Sequence, residues 1–128
     1  MNNIILSTMP FLLDGLWMTV KISLFTIFFG SLLGVVVGML RTLDYAVISY
    51  PLGAFIHALR GTPFLIHLYL VYFMLPLTGI SWLQLEAFPA AVIALSLYTS
   101  TYVAEIVRSA IQAVPRGQSE AARSTGMT

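Results

Sequence analysis

The chain has 128 residues, of which 59% are hydrophobic and only 9% are charged, and it contains no cysteine. Ordinary soluble domains carry about 25% charged residues, and a small domain leaves too much of its surface in water to be this apolar. The composition therefore excludes a soluble globule, disulfides and thiolate metal sites. The formal net charge of +1 is too small to predict nucleic-acid binding.

Three uncharged runs reach the length of a membrane crossing: residues 22–40, 63–80 and 87–104. At about 1.5 Å per residue, each covers roughly 27 to 28 Å, close to the hydrocarbon thickness of about 30 Å. With short extensions, they predict an all-α polytopic membrane bundle with spans over about 17–40, 63–80 and 87–108. A shorter run containing Pro51 and Gly53 predicts a helix over about 45–60, lying at the interface or against other helices. A fourth span is the alternative.

Within the first span, Gly30, Gly34 and Gly38 recur at every fourth position. This spacing places them in one strip along a helix, where small residues let another helix approach closely. Glycine is also simply common in membrane helices. Three glycines spaced four residues apart favour the interpretation as a face that packs against another helix.

The start of the second span is marked by Arg60-Gly-Thr-Pro63. Thr62 is suited to cap the N-terminus of the helix, and proline is favoured at the first helical position. Taken alone, the segment predicts a well-formed helix start and no chemistry.

The third span becomes polar toward its end. Thr99, Ser100, Thr101 and Tyr102 could line a polar path, although hydroxyls in membrane helices can equally bond to their own backbone carbonyls. Glu105 and Arg108 follow three residues apart, so they share a helix face and can form an ion pair as they approach water.

The last segment, residues 115–128, is polar and helix-prone. We expect Pro115 and Gly117 to turn the chain, Ser119 to cap a short helix, Glu120 to occupy its first turn and Gly126 to end it. Because so short a helix is unstable alone, it needs a partner to pack on.

The basic residues predict the orientation. With three spans, five of the six lie on one side, and Lys21 alone lies near the other. Positive charge collects on the cytoplasmic side. We therefore expect the N-terminus outside and the terminal segment in the cytoplasm.

The terminal segment closely resembles a known family. Tyr102-Val-Ala-Glu-Ile-Val-Arg108, Gly117-Gln-Ser-Glu-Ala-Ala122 and Gly126 are similar to the cytoplasmic EAA loop of binding-protein-dependent ABC importer permeases, in the branch that carries polar amino acids. Arg60-Gly-Thr-Pro63 and several residues of the first span, including Gly30, Gly34 and Arg41, also match that branch. The resemblance covers most of the chain, from about residue 11 onward.

The resemblance implies a permease of the bacterial inner membrane that helps import a polar amino acid, such as glutamine, histidine, arginine or glutamate. The implied partners are an ABC ATPase subunit, a second permease chain forming a homo- or heterodimer, an extracytoplasmic amino-acid-binding protein and the lipid bilayer, with no nucleic acid. The residues implied to dock on the ATPase are Gly117, Gln118, Glu120, Ala121, Ala122 and Gly126.

The chain itself is not expected to be an enzyme, to hold a metal or to need a cofactor. It contains no G-x-x-x-x-G-K-[ST] phosphate loop, so ATP hydrolysis would belong to the partner. The alternative is a small structural membrane protein without transport activity, which the glycine strip suits equally well but the EAA segment does not.

The chain departs from the family pattern in three respects. Ser100-Thr101 stands where a Gly-Ala pair is usual, and Thr125 stands where leucine is usual. The family has five spans, with two after the EAA loop. The sequence therefore predicts a fragment or a truncated product holding three of them.

Overall fold

The computed structural model describes residues 2–43 and 45–127 of the chain. The described residues form α-helices joined by short turns, and no strand occurs among them. Between the third and fourth helices the chain passes through a π-helical turn, Leu70–Met74, and two 3₁₀ turns, Leu75–Thr78 and Ser81–Leu83. The α-helices are α1 (Asn2–Leu40), α2 (Ala46–Arg60), α3 (Phe64–Tyr69), α4 (Ala87–Gln112) and α5 (Arg116–Ser124).

The long helices α1 and α4 form the centre of the structure and run parallel to each other. Gly30 lies against Thr99, Gly34 against Val103, and Gly38 farther along against α4. Because the numbers rise together along both helices, the two helices point the same way. If both helices span the membrane, the chain must cross back an odd number of times between them, and one crossing is enough.

The glycine strip is where α1 and α4 approach most closely. A Cβ atom added to Gly34 would lie 2.5 Å from the Cβ of Val103, and one added to Gly38 would lie 2.7 Å from the carbonyl oxygen of Ala104. Both distances are shorter than real Cβ contacts. The two helix backbones are thus close enough that this strip of α1 accommodates no side chain without a shift.

Two helices of the described residues are long and apolar enough to cross a membrane: Ser7–Leu40 and Ala87–Gln112. A third crossing is obtained if α2 and the helical run Phe64–Thr78, which are bent by 102° from each other, count as one span. The run Phe64–Thr78 alone covers about 22 Å at about 1.5 Å per residue, less than the hydrocarbon thickness of about 30 Å. The predicted second span is therefore shorter and less regular than the other two.

The predicted cap of this run is wrong. The helix begins at Phe64, and Pro63 occupies the N-cap position in an extended conformation without a side-chain cap. The hydroxyl of Thr62 instead donates a hydrogen bond to the carbonyl of Ala58 and lies 2.9 Å from Nε2 of His67. Thr62 thus connects the end of α2 to α3 across the bend. Between the two helices the backbone at Pro63 is extended.

Most of the large apolar side chains face outward. Phe11 is 77% exposed and Trp17 is 61% exposed, while the fully buried apolar residues among those described are few and mostly small: Ile56, Ala90, Ala94 and Ala104. A surface this apolar is unfavourable in water and favourable against lipid or further helices. The fold is therefore a membrane helix bundle.

Candidate functional site

The predicted docking segment forms the exposed helix α5. Pro115 occupies its N-cap position with φ −62° and ψ 138°, and the N–H of Gln118 donates to the carbonyl of Pro115 at 3.0 Å. Every side chain of α5 is exposed except that of Ala122, which is half-buried. Most of the surface of α5 is therefore not covered by the other described helices.

Three expectations about the start of α5 are wrong. Ser119 is not the N-cap, and Glu120 is not in the first turn, because the helix already begins at Arg116. Gly117 does not turn the chain. It lies inside the helix, and the positive-φ glycines of the described chain are Gly79 and Gly126. The extended conformation of Pro115 makes the turn instead, so the helix starts four residues earlier than expected.

The end of α5 has the hydrogen bonds of a Schellman motif. Gly126 adopts φ 84°, its N–H donates to the carbonyl of Arg123, and the N–H of Met127 donates to the carbonyl of Ala122, each at 3.1 Å. Left-handed backbone of this kind favours glycine. The left-handed backbone of Gly126 and these two hydrogen bonds therefore end the helix.

Just before α5, three charged side chains meet at one end of the bundle. Nη1 of Arg41, at the end of α1, donates a hydrogen bond of 2.5 Å to Oε2 of Glu105 on α4. Nη1 of Arg108 donates to Oε1 of the same carboxylate at 3.4 Å. The Arg41 side chain is only 8% exposed, whereas those of Glu105 and Arg108 are 31% and 30% exposed.

The Arg41 guanidinium also lies against α2. A Cβ atom added to Gly53 would come within 3.3 Å of Nη2 of Arg41. Glycine at this position leaves space for the guanidinium between α1, α2 and α4. The sequence predicted the Glu105–Arg108 contact but missed Arg41. Its signal was available, because the expected topology places the end of the first span level with Glu105.

The four hydroxyl residues proposed for a polar path have different surroundings. Ser100 and Thr101 are buried, and their hydroxyls donate to the backbone carbonyls of Leu97 and Tyr98, each at 2.7 Å. Thr99 packs against the glycine strip. Tyr102 alone of the four is exposed, and the hydroxyls of Ser100 and Thr101 are already bonded to the backbone.

Tyr102 belongs to a polar and aromatic row that the sequence did not reveal. Its hydroxyl lies 2.9 Å from that of Tyr98, and the guanidinium of Arg60 lies 4.7 Å from the centre of its ring. The ring of His67 lies 5.7 Å from that of Tyr98. These contacts join the bend between α2 and α3 to α4, one turn above Glu105.

Comparison with known proteins matches residues 30–128 to the family described as binding-protein-dependent transport system inner membrane component. The chain belongs to this family. The matched region includes the glycine strip, the charged cluster and α5, so all the groups described above lie within the family domain.

Named relatives are amino-acid permeases. The arginine transport system permease protein ArtQ of Bacillus subtilis is 39% identical, over 92% of this chain and 53% of that protein. The L-cystine transport system permease protein TcyB of the same organism is 33% identical, over 93% and 50%. The glutamate/aspartate import permease protein GltK of Escherichia coli O157:H7 is 32% identical, over 97% and 58%.

A solved structure, described as an amino acid ABC transporter with histidines, superposes with a TM-score of 0.85. It is 39% identical in sequence, and the match covers 97% of this chain and 56% of that one. The chain thus spans about half the length of the relatives it matches. The permease fold and a membrane location follow for this chain.

Proposed function

We propose that the chain acts within a permease that imports a polar amino acid into the cytoplasm, driven by ATP hydrolysis on a separate subunit. The observation that carries this proposal is an exposed, polar helix placed directly after a charged cluster in a chain of the transport family. The permease subunit is not itself an enzyme. The relatives named above take different amino acids, so the proposed substrate class is polar amino acids and not one member.

The proposed partner of α5 is an ABC ATPase subunit. A helix of nine residues has too few backbone hydrogen bonds to be stable alone. A cleft that receives it would supply the missing packing. A second permease chain would complete the pathway, and an extracytoplasmic binding protein would deliver the amino acid. The proposed docking residues are those carried by α5 and its stop: Gly117, Gln118, Glu120, Ala121, Ala122 and Gly126.

Docking is tested by Glu120→Lys and Gly126→Ala. The first reverses a charge on an exposed face, and the second places a Cβ on left-handed backbone and frays the end of α5, at a cost of about 1 kcal/mol. We expect each variant to reduce co-purification of the ATPase from membranes.

The matched control for Gly126→Ala is Gly79→Ala. Gly79 also has a positive φ of 75° and nothing within 4 Å of an added Cβ, but it lies between the second span and α4, away from α5. Gly79→Ala should leave the ATPase bound. Unchanged co-purification in both α5 variants would sink the docking assignment and favour a structural membrane protein.

The proposed orientation places α5 in the cytoplasm and the turns between α3 and α4 outside. Because the chain has no cysteine, single cysteines at Leu77 and Gln118, both exposed, report on the two sides without background. In intact cells a membrane-impermeant maleimide should label Leu77→Cys at once and Gln118→Cys only after permeabilisation. The reverse pattern would invert the topology.

A further inference from the structure

A cleft of about 620 Å³ opens beside the charged cluster, between the end of α1, α2 and the last turns of α4. None of its described lining residues belongs to α5. Its walls combine two guanidinium groups, other polar side chains and a small apolar surface. The lining residues are Arg41, Thr42, Leu43, Ala46, Ser49, Tyr50, Gly53, Ala54, His57, Arg108 and Gln112.

Among the described residues that line the cleft, positive charge exceeds negative charge. Arg41 and Arg108 both line it, and none of the described lining residues is acidic. Glu105 accepts one hydrogen bond from each guanidinium, in both cases from Nη1. A guanidinium has five N–H donors. One carboxylate therefore neutralises one of the two cations and leaves donors on both for an anion.

The other lining groups suit a phosphate. Ser49 and Tyr50 each carry a hydroxyl, and Gln112 carries an amide that can donate hydrogen bonds. Arginine matches phosphate geometry, since its planar fork can donate two parallel hydrogen bonds. Leu43, Ala46 and Ala54 supply an apolar wall beside these polar groups, which a free inorganic ion would not use.

The cleft also lies at the depth of lipid headgroups. Arg41 directly follows the apolar helix α1, and Arg108 lies one turn before the end of α4, so both mark the boundary of the membrane-crossing segments. Tyr50, at 79% exposure, is the kind of amphipathic ring that collects at this level. Basic pockets between membrane helices bind anionic headgroups on the cytoplasmic side.

We propose that this cleft binds the phosphate of an anionic phospholipid headgroup, held by Arg41 and Arg108, with the apolar wall against the glycerol and the start of the acyl chains. The site goes beyond the proposed transport function. It involves no residue of α5, so failure of ATPase docking and failure of lipid binding can be told apart.

The test is thermal unfolding of the purified chain in a neutral detergent. Phosphatidylglycerol or phosphatidylcholine is added at equal mole fraction, and inorganic phosphate is added in a third series. We expect phosphatidylglycerol to raise the unfolding temperature more than phosphatidylcholine does. Arg108→Gln should lower the affinity for phosphatidylglycerol roughly fivefold, as removal of one arginine near an anionic surface predicts.

Arg116→Gln is the matched control, because it makes the same charge change on exposed α5 outside the cleft. It should keep the full response to phosphatidylglycerol. An equal response to both lipids, or equal losses in the two variants, would overturn the site. Equal stabilisation by inorganic phosphate alone would overturn the lipid as its ligand.

Discussion

Gly34→Ala should separate α1 from α4 and lower the unfolding temperature of the chain in detergent. The added Cβ would lie 2.5 Å from the Cβ of Val103 and 2.8 Å from the carbonyl oxygen of Ser100. Neither atom belongs to the flexible end of a side chain, so the helix backbones must move. Overpacking of this kind costs about 1–3 kcal/mol, and close backbone approach is a main source of helix association in lipid.

Gly15→Ala is the control for this prediction, since Gly15 lies on the same helix with nothing within 4 Å of an added Cβ. It should leave the unfolding temperature unchanged or raise it slightly, because alanine favours helix by about 1 kcal/mol over glycine. Gly30→Ala should fall between the two, since its nearest neighbour is the side chain of Thr99 at 3.0 Å. Equal unfolding temperatures for the Gly34 and Gly15 variants would refute the packing argument.

The helical class and the packing strip could be predicted from the sequence because each rests on a local pattern. Uncharged runs near 18 residues indicate crossings, and a four-residue spacing puts three glycines on one face. The start of α1 was harder to predict. The uncharged run begins after Lys21, yet the helix extends from Asn2 past Asp14, because an isolated charge limits a span but does not end a helix.

The helix starts could not be placed for a different reason. Thr62 and Ser119 are good capping residues, but each lies close to a proline whose extended backbone determines where the helix begins. The helices begin after Pro63 and Pro115. The buried role of Arg41 depends on a contact across 64 positions of sequence. No local pattern reports such a contact, and only the expected topology of the spans could have indicated it.

Arg41→Met should destabilise the chain more than any other change in the charged cluster. Arg41 directly follows α1, donates a hydrogen bond to Glu105 on α4 and lies against Gly53 on α2, so its guanidinium joins three helices. Without it, Glu105 keeps only the longer contact with Arg108. Breaking a fully buried pair costs about 3–5 kcal/mol. Because the Glu105 side chain is 31% exposed, water compensates in part, and we expect about 1–3 kcal/mol.

Arg108→Met is the matched control, because it removes the other positive charge that contacts the carboxylate of Glu105. Its contact is longer, at 3.4 Å, and its side chain is 30% exposed. Its effect should therefore lie within about 1 kcal/mol. The measurement is the unfolding temperature of both variants in a neutral detergent. Similar losses for the two arginines would mean that general charge balance, and not the three-helix contact of Arg41, stabilises this end of the bundle.

A double-mutant cycle separates the ion pair from the packing of the Arg41 side chain. If the pair dominates, Arg41→Met combined with Glu105→Gln should be less destabilising than the sum of the single changes, because no unpaired carboxylate remains. If the two losses simply add, Arg41 contributes through its contact with α2. Gly53→Ala then becomes the decisive variant, since its Cβ would come within 3.3 Å of Nη2 of Arg41 without changing any charge.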